Sequence, residues 1–236
     1  MKLLSIETSS SNCSIAISAH GEVFEKTEVA VKQQGAVILP MIKKLLEVAS
    51  LDLAQIDALV FSSGPGSFTG LRIAGGIVQG LAFALEKPVI AVPTMWALAY
   101  AVAHKFSMKK VEIVINARMN EFFYGYYQVS KNGVKTLFAD SLVKNQIFLA
   151  EKPVDSDLLI YNDCLEFHKE FIDKYRNSPV KLIEDFYPTA SMLLPIAEDK
   201  FNKGEVLAAD KAIPTYLRGK SAWHTSWPVI LVDAGI

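Results

Sequence analysis

The chain has 236 residues, 51% hydrophobic and 21% charged, enough apolar material for one large or two small packed domains and too much for a disordered chain. Lys and Arg number 24 against 25 Asp and Glu, a net charge of −1, and only Arg72, Arg118, Arg176 and Arg218 are arginines. No basic footprint for phosphate neutralisation is visible, so tight, autonomous binding of nucleic acid is not expected.

Leu3 to Glu7 is a short apolar run that ends in a polar turn, Thr8 to Asn12. Cys13 to Ser18 and Val23 to Val29 alternate with period two around the turn at His20-Gly21-Glu22, so the opening predicts a meander of strands. From Gln34 the period changes. Val37, Ile38, Met41, Ile42, Leu45, Leu46 and Ala49 recur at helical spacing. Pro40 is tolerated only near a first turn, so the regular helix is expected from about Leu39. Ala58 to Ser62 predicts a buried strand running into Gly64 to Gly70, then a long apolar helix from Leu71 to about Leu85. Pro88 to Val92 predicts another strand, with Thr94 capping a helix through Ala103.

Lys105 to Lys110 is polar and predicts a link. Val111 to Ile115 and Phe122 to Val129 follow as strands, the second rich in aromatics that are expected in a core, with Lys131-Asn132-Gly133 as a hairpin turn. Helices are expected near Cys164 to Tyr175 and Met192 to Asn202. The chain therefore divides near residue 106 into an N-terminal α/β half, 1–106, and a C-terminal half, 107–236, whose end is expected to pack back on the first. Both halves open with an apolar strand, a turn and further strands, a weak parallel that hints at duplication.

Cys13 and Cys164 belong to no CxxC pair, so no disulfide framework is expected and reduced thiols in the cytoplasm are. The first residues are too short an apolar run for a signal peptide. The stretch from Pro88 to Ala103 is interrupted by Pro93 and falls short of the ~20 residues that span a bilayer. A soluble cytoplasmic protein without a membrane partner is the expectation.

Two loops could carry chemistry. Gly64-Pro65-Gly66-Ser67-Phe68-Thr69-Gly70 lies between a strand and a helix whose first amides point at the loop, with Arg72 beside it. It lacks the Gly-Lys-Ser/Thr of a P-loop and the Gly-x-Gly-x-x-Gly of a dinucleotide site, and it serves equally as a tight turn that holds nothing. Glu7-Thr8-Ser9-Ser10 ends the first strand, where a carboxylate among hydroxyls can hold hydrated magnesium and phosphate oxygens, or simply form a solvated turn. Both loops follow strands, the end of an α/β sheet where ligands bind.

The helix after the glycine loop repeats Gly76, Gly80 and Ala84 every four residues, a groove flanked by Ile73, Ile77 and Leu81. Mid-helix glycine costs up to ~1 kcal/mol against alanine, so close approach of another helix is expected there, from within the chain or from a partner. His20, His104, His168 and His224 form no His-x-x-x-His pair, and no Gly-x-Ser-x-Gly elbow or cysteine nucleophile signature is present. No metal and no catalytic residue is predicted.

Leu4-Ser5-Ile6-Glu7-Thr8-Ser9, Ile38-Leu39-Pro40, Gly64 to Ile73, Ala117-Arg118-Met119-Asn120-Glu121 and Pro214-Thr215-Tyr216-Leu217-Arg218 resemble the TsaB (YeaZ) family, in order over most of the chain. Residues 131 to 205 contribute little. The resemblance implies a two-lobed actin/Hsp70/sugar-kinase (ASKHA) α/β fold of mixed sheets flanked by helices. It implies a scaffold role in making N6-threonylcarbamoyladenosine (t6A) at position 37 of ANN-decoding tRNAs, by binding the catalytic subunit TsaD, with the ATPase TsaE joining. On that basis Leu39, Ile42, Leu46, Ile73, Gly76, Ile77 and Gly80 are expected at a partner interface, also used for a homodimer when TsaD is absent. Glu7, Thr8, Ser9, Gly64, Gly66, Ser67, Gly70 and Arg72 would flank a nucleotide, should one or magnesium sit at such an interface; no cofactor of the chain itself is predicted, and tRNA is met through the complex. Gln33-Gln34, where many relatives carry His, and Asn116, where Asp is common, depart from the pattern. A small-molecule kinase or ATPase of the same fold is the alternative.

Overall fold

The computed structural model describes residues 1–29, 34–131, 133–151 and 153–218. Strands β1 (Leu3–Glu7), β2 (Asn12–Ala19), β3 (Glu22–Val29), β4 (Ala58–Ser62) and β5 (Val89–Val92) make one sheet in the order β3-β2-β1-β4-β5. β1 and β2, and β2 and β3, are antiparallel, whereas β1 pairs β4 and β4 pairs β5 in parallel. β6 (Lys110–Arg118), β7 (Glu121–Ser130), β8 (Gly133–Lys144), β9 (Leu158–Asn162) and β10 (Lys181–Glu184) make a second sheet, β10-β9-β6-β7-β8. Its pairings repeat the first strand for strand: β6–β7–β8 antiparallel, β6–β9–β10 parallel. The hint of duplication in the sequence is thus a duplicated sheet topology.

The burial of each strand follows from its neighbours. β1 and β4 are buried at every residue because helices cover both faces, which is why they are continuous apolar runs. β3 is an edge strand and alternates between exposed and half-buried. Helices α1 (Gln34–Val48) and α2 (Phe68–Leu85) cover one face of the first sheet. Ile38, Met41, Ile42, Leu45 and Leu46 of α1 and Ala74, Val78 and Ala82 of α2 pack with Leu4, Ile6, Ile15 and Ile17.

Helices α3 (Thr94–Phe106) and α6 (Ala190–Asn202) lie on the other face; short α4 (Asn145–Ala150) and α5 (His168–Tyr175) belong to the second sheet. Met95, Leu98, Ala99 and Val102 of α3 also pack with Val111, Ile113, Tyr127 and Leu158, so α3 joins the two sheets through one apolar core. α6, after the second sheet, returns to the first. Ser5 Oγ donates to Ala190 O at 2.9 Å and Ala190 N donates to Ser14 Oγ at 2.9 Å.

Several boundaries differ from the sequence expectation. α1 begins at Gln34, before Leu39, and Pro40 sits inside it. α2 begins at Phe68, so Thr69 and Gly70 belong to its first turn and Ser67 is its cap, the Oγ accepting from Gly70 N at 3.3 Å. Pro93 is the residue capping α3, and Thr94 is its buried first residue, so a capping hydroxyl was the wrong role for Thr94. That helix continues through Phe106, which shortens the expected link. Phe122, Tyr124 and Tyr127 are fully buried, as core aromatics are expected to be. α2 is long and apolar enough to cross a membrane by length and composition; here its Ala74–Val78–Ala82 face is packed on the sheet. Asn132, Gln33, His224 and the tail Trp227 to Val232 lie outside the described residues.

Candidate functional site

A cavity of about 800 Å³ opens between the halves. Ser9, Ser10, Ser11, Gly66, Ser67 and Thr69 line it from the first half, Ile115, Asn116, Ala117, Arg118, Phe123 and Asp163 from the second, and Thr215 to Arg218 from the end of the described chain. The two loops singled out in the sequence meet here. Ser67 N donates to Ser9 O at 2.7 Å, and Thr8 Oγ1 donates to Gly70 O at 2.8 Å. Both glycines are required by this contact: a Cβ at Gly66 would lie 2.5 Å from Ser9 O, and one at Gly70 1.8 Å from Thr8 O. Gly64, at φ +104 before a cis peptide to Pro65, accepts from Thr94 N at 2.9 Å.

Glu7 is placed differently from the expectation. It is fully buried and does not line the cavity; its Oε1 accepts from Ser9 N at 2.5 Å. Burial pushes the Glu7 carboxyl above the usual carboxylate range, against the opposing pull of the Ser9 and Ser62 hydroxyls and the Ser9 backbone amide. A carboxyl so buried, beside a Thr8 hydroxyl already spent on Gly70, does not fit a hydrated magnesium ion. Of the first loop only the serines reach the cleft.

Arg72 is exposed, but its guanidinium lies 3.9 Å over the Phe68 ring and its Nε donates to Tyr216 OH at 3.2 Å. It is held flat against aromatics, a different task from reaching for a phosphate. Asn116 Nδ2 donates to Asp163 O at 2.9 Å, and Gln34 Nε2 donates to Ser10 O at 3.0 Å. Gln34 and Asn116, the described residues among those that depart from the family pattern, therefore brace the walls of the cleft. The second wall, Asn116 to Arg118 with Asp163, is not legible in the sequence because its residues are scattered over two strand ends, and Thr215 to Arg218, a motif in the sequence, gain a place only in the folded chain.

The helix face divides. Among the described residues nothing lies within 4 Å of a Cβ built on Gly76 or Gly80, so no described residue fills the groove, and Phe83 of α2 and Leu39 of α1 are 82% and 53% exposed. Close packing against the described residues is therefore not what those glycines serve, whereas Gly75 packs against Pro214. Ile73 and Ile77 are half-buried. Ile42 and Leu46 are buried in the core against the sheet, so their expected interface role is corrected: helical spacing put them on the apolar face, and that face is the inner one.

A family model described as TsaD, tRNA N6-adenosine threonylcarbamoyltransferase, matches residues 25–222. The curated tRNA threonylcarbamoyladenosine biosynthesis protein TsaB of Escherichia coli (strain K12) is 33% identical over 229 residues, 94% of this chain and 97% of that protein. The protein of that name from Haemophilus influenzae is 31% identical over 236 residues, covering 94% and 96%. By contrast, a tRNA N6-adenosine threonylcarbamoyltransferase of Symbiobacterium thermophilum is similar over 74 residues, 22% of its length. The solved structure of YeaZ from Pseudomonas aeruginosa superposes with a TM-score of 0.81 at 32% identity, over 92% of this chain and 99% of that one. The two mixed sheets with flanking helices are thus a two-lobed actin-like (ASKHA) α/β fold. With 33% and 31% identity to curated TsaB proteins over 94% of its length, and the YeaZ structure superposing over 92% of it, the chain belongs to the TsaB (YeaZ) family.

Proposed function

We propose that the chain is a non-catalytic scaffold and activator in t6A formation, acting by binding a TsaD-type transferase. The names of its full-length relatives support the pathway. The observation that carries the mode of action is the open glycine face of α2. Gly76 and Gly80 are exposed, have no described residue within 4 Å of a Cβ built on them, and each costs a mid-helix position up to ~1 kcal/mol against alanine. A side-chain-free groove on an exposed helix lets a second helix approach closely, and Phe83 and Leu39 supply apolar surface beside it. A TsaE-type ATPase joins the pair, tRNA is contacted through the complex, and the same face makes a homodimer when the transferase is absent. The lobes in this reading are 1–106 and 107–236, in the cytoplasm. The kinase or ATPase alternative needs Glu7 at the cleft, and Glu7 is buried behind it.

The test is co-purification of the TsaD-type subunit from the same organism with wild-type chain and with the Gly76→Leu/Gly80→Leu double variant. The proposal expects binding to weaken at least a hundredfold, since two bulky side chains enter the contact. Undiminished binding by a folded double variant overturns it.

A further inference from the structure

The segment after α6 crosses from one half of the molecule to the other over the cleft. On the first half, Gln79 Nε2 donates to Ala212 O at 3.2 Å, and Pro214 sits against Gly75, where a Cβ would be 3.3 Å from its ring. Thr215 N donates to Ser63 O at 2.7 Å, and Thr215 O fills the space beside Gly64, 2.8 Å from where a Cβ would be. The Tyr216 ring is 5.2 Å from that of Phe68, and its hydroxyl accepts from Arg72. Two residues later the chain is fastened to the second half. Arg218 Nη2 is 2.8 Å from Glu121 Oε2, whose side chain is 6% exposed, and donates to Ala117 O at 2.9 Å.

The far anchor grips an unusual piece of backbone. Arg118, Met119 and Asn120, which link β6 to β7, have φ of 63, 57 and 61, three consecutive non-glycine residues in the left-handed region. Such a turn is unfavourable at each residue and persists where the surroundings fix it. Arg118 N donates to Asn116 Oδ1 at 2.8 Å and Asn145 N donates to Asn120 O at 3.0 Å from within the second half, and the Arg218 guanidinium, spread across Ala117 O, the Met119 sulfur and Glu121, adds the fixture that comes from residues 212–218. On the opposite side of the cleft, the halves share the apolar core around α3. The halves are therefore joined as a book is joined, by α3 at the spine and by residues 212–218 across the open edge.

We propose that residues 212–218 are a strap that sets the width of the interlobe cleft and entry to it, with Arg218 as its buckle. Two-lobed proteins hinge about such a spine unless something crosses the open edge. The proposal is independent of the functional reading above, since it concerns only this chain's own geometry.

Spin labels at Glu22→Cys on the first half and Lys169→Cys on the second, both exposed positions, report the separation by pulsed electron resonance in spin-diluted samples. Native Cys13 and Cys164 are fully buried and stay unlabelled in the folded protein. A single narrow distribution is expected for the otherwise wild-type chain. Arg218→Ala is expected to widen it at least twofold toward longer distances and to raise amide exchange at Thr215 at least tenfold, with Arg218→Lys, which keeps the charge but loses the fork, in between. A distribution unchanged in Arg218→Ala and in Tyr216→Ala/Arg218→Ala, both folded by circular dichroism, overturns the proposal. So does faster exchange at Thr215 without any change in separation, because the segment would then be attached without setting the cleft.

Discussion

Glu7 shows how one burial fact changes a residue's chemistry. At the end of β1 its sequence neighbours are hydroxyls, as in a cation site, yet the folded chain encloses it completely. Burial raises its pKa above the usual 4.5, so the folded state holds a proton that the unfolded chain releases near that pH. Its contribution to stability is greatest below about pH 4.5 and is lost as pH rises through the folded value. Glu112, buried and raised in the same way among Ser156, Tyr124 and Tyr175, adds to that trend in the second half. Urea unfolding at pH 5 and pH 8 checks it. Wild type is expected to lose more stability than Glu7→Gln between the two, and an identical loss contradicts a buried, protonated Glu7. The glycines divide just as sharply. Gly70→Ala drives a Cβ into Thr8 O and is expected to cost about 3 kcal/mol or more by thermal or urea unfolding.

At the scale of elements, α2 carries two different glycine chemistries on one helix. Gly70 and Gly75 face the chain itself, Gly76 and Gly80 face outward. Gly76→Ala/Gly80→Ala is therefore expected to stabilise the isolated protein by up to about 2 kcal/mol through helix propensity, while weakening association with the transferase and with a second copy of the chain. Denaturation midpoints and analytical ultracentrifugation check the two halves of that statement, and destabilisation of the monomer contradicts the open groove. Period alone could not separate the two faces of the helix pair. In α1, Ile42 and Leu46 share a spacing with residues of any apolar face, and only the position of the sheet shows that theirs is the inner one. The first-half elements were legible because their periods are strong and their turns carry glycine. β8, α4, β9 and β10 were not: the five-residue β9, the four-residue β10 and the six-residue α4 offer too few repeats to register, and β8, twelve residues long, is an edge strand left half-exposed or exposed over most of its length. The two loops of the site were legible from their glycines and hydroxyls, whereas Asn116, Arg118, Asp163 and the strap reach the cleft only through long-range pairing of β6 with β9 and the return of the chain end.

At the scale of the whole molecule, a duplicated five-stranded plan builds a cleft, and the chain's own residues now occupy much of its chemistry. The carboxyl at the end of β1 is buried, Arg72 lies on aromatics, and residues 215–218 stand at the mouth. A fold of this kind can keep its architecture while its outer helices take over the function, which is the division of labour proposed for this chain and its transferase partner. The most direct measurement is nucleoside mass spectrometry of total tRNA after depletion of this protein in its own cells, with wild type and the Gly76→Leu/Gly80→Leu variant returned. The account predicts loss of t6A, restored by the wild-type chain and not by the variant. Undiminished t6A under complete depletion would contradict it.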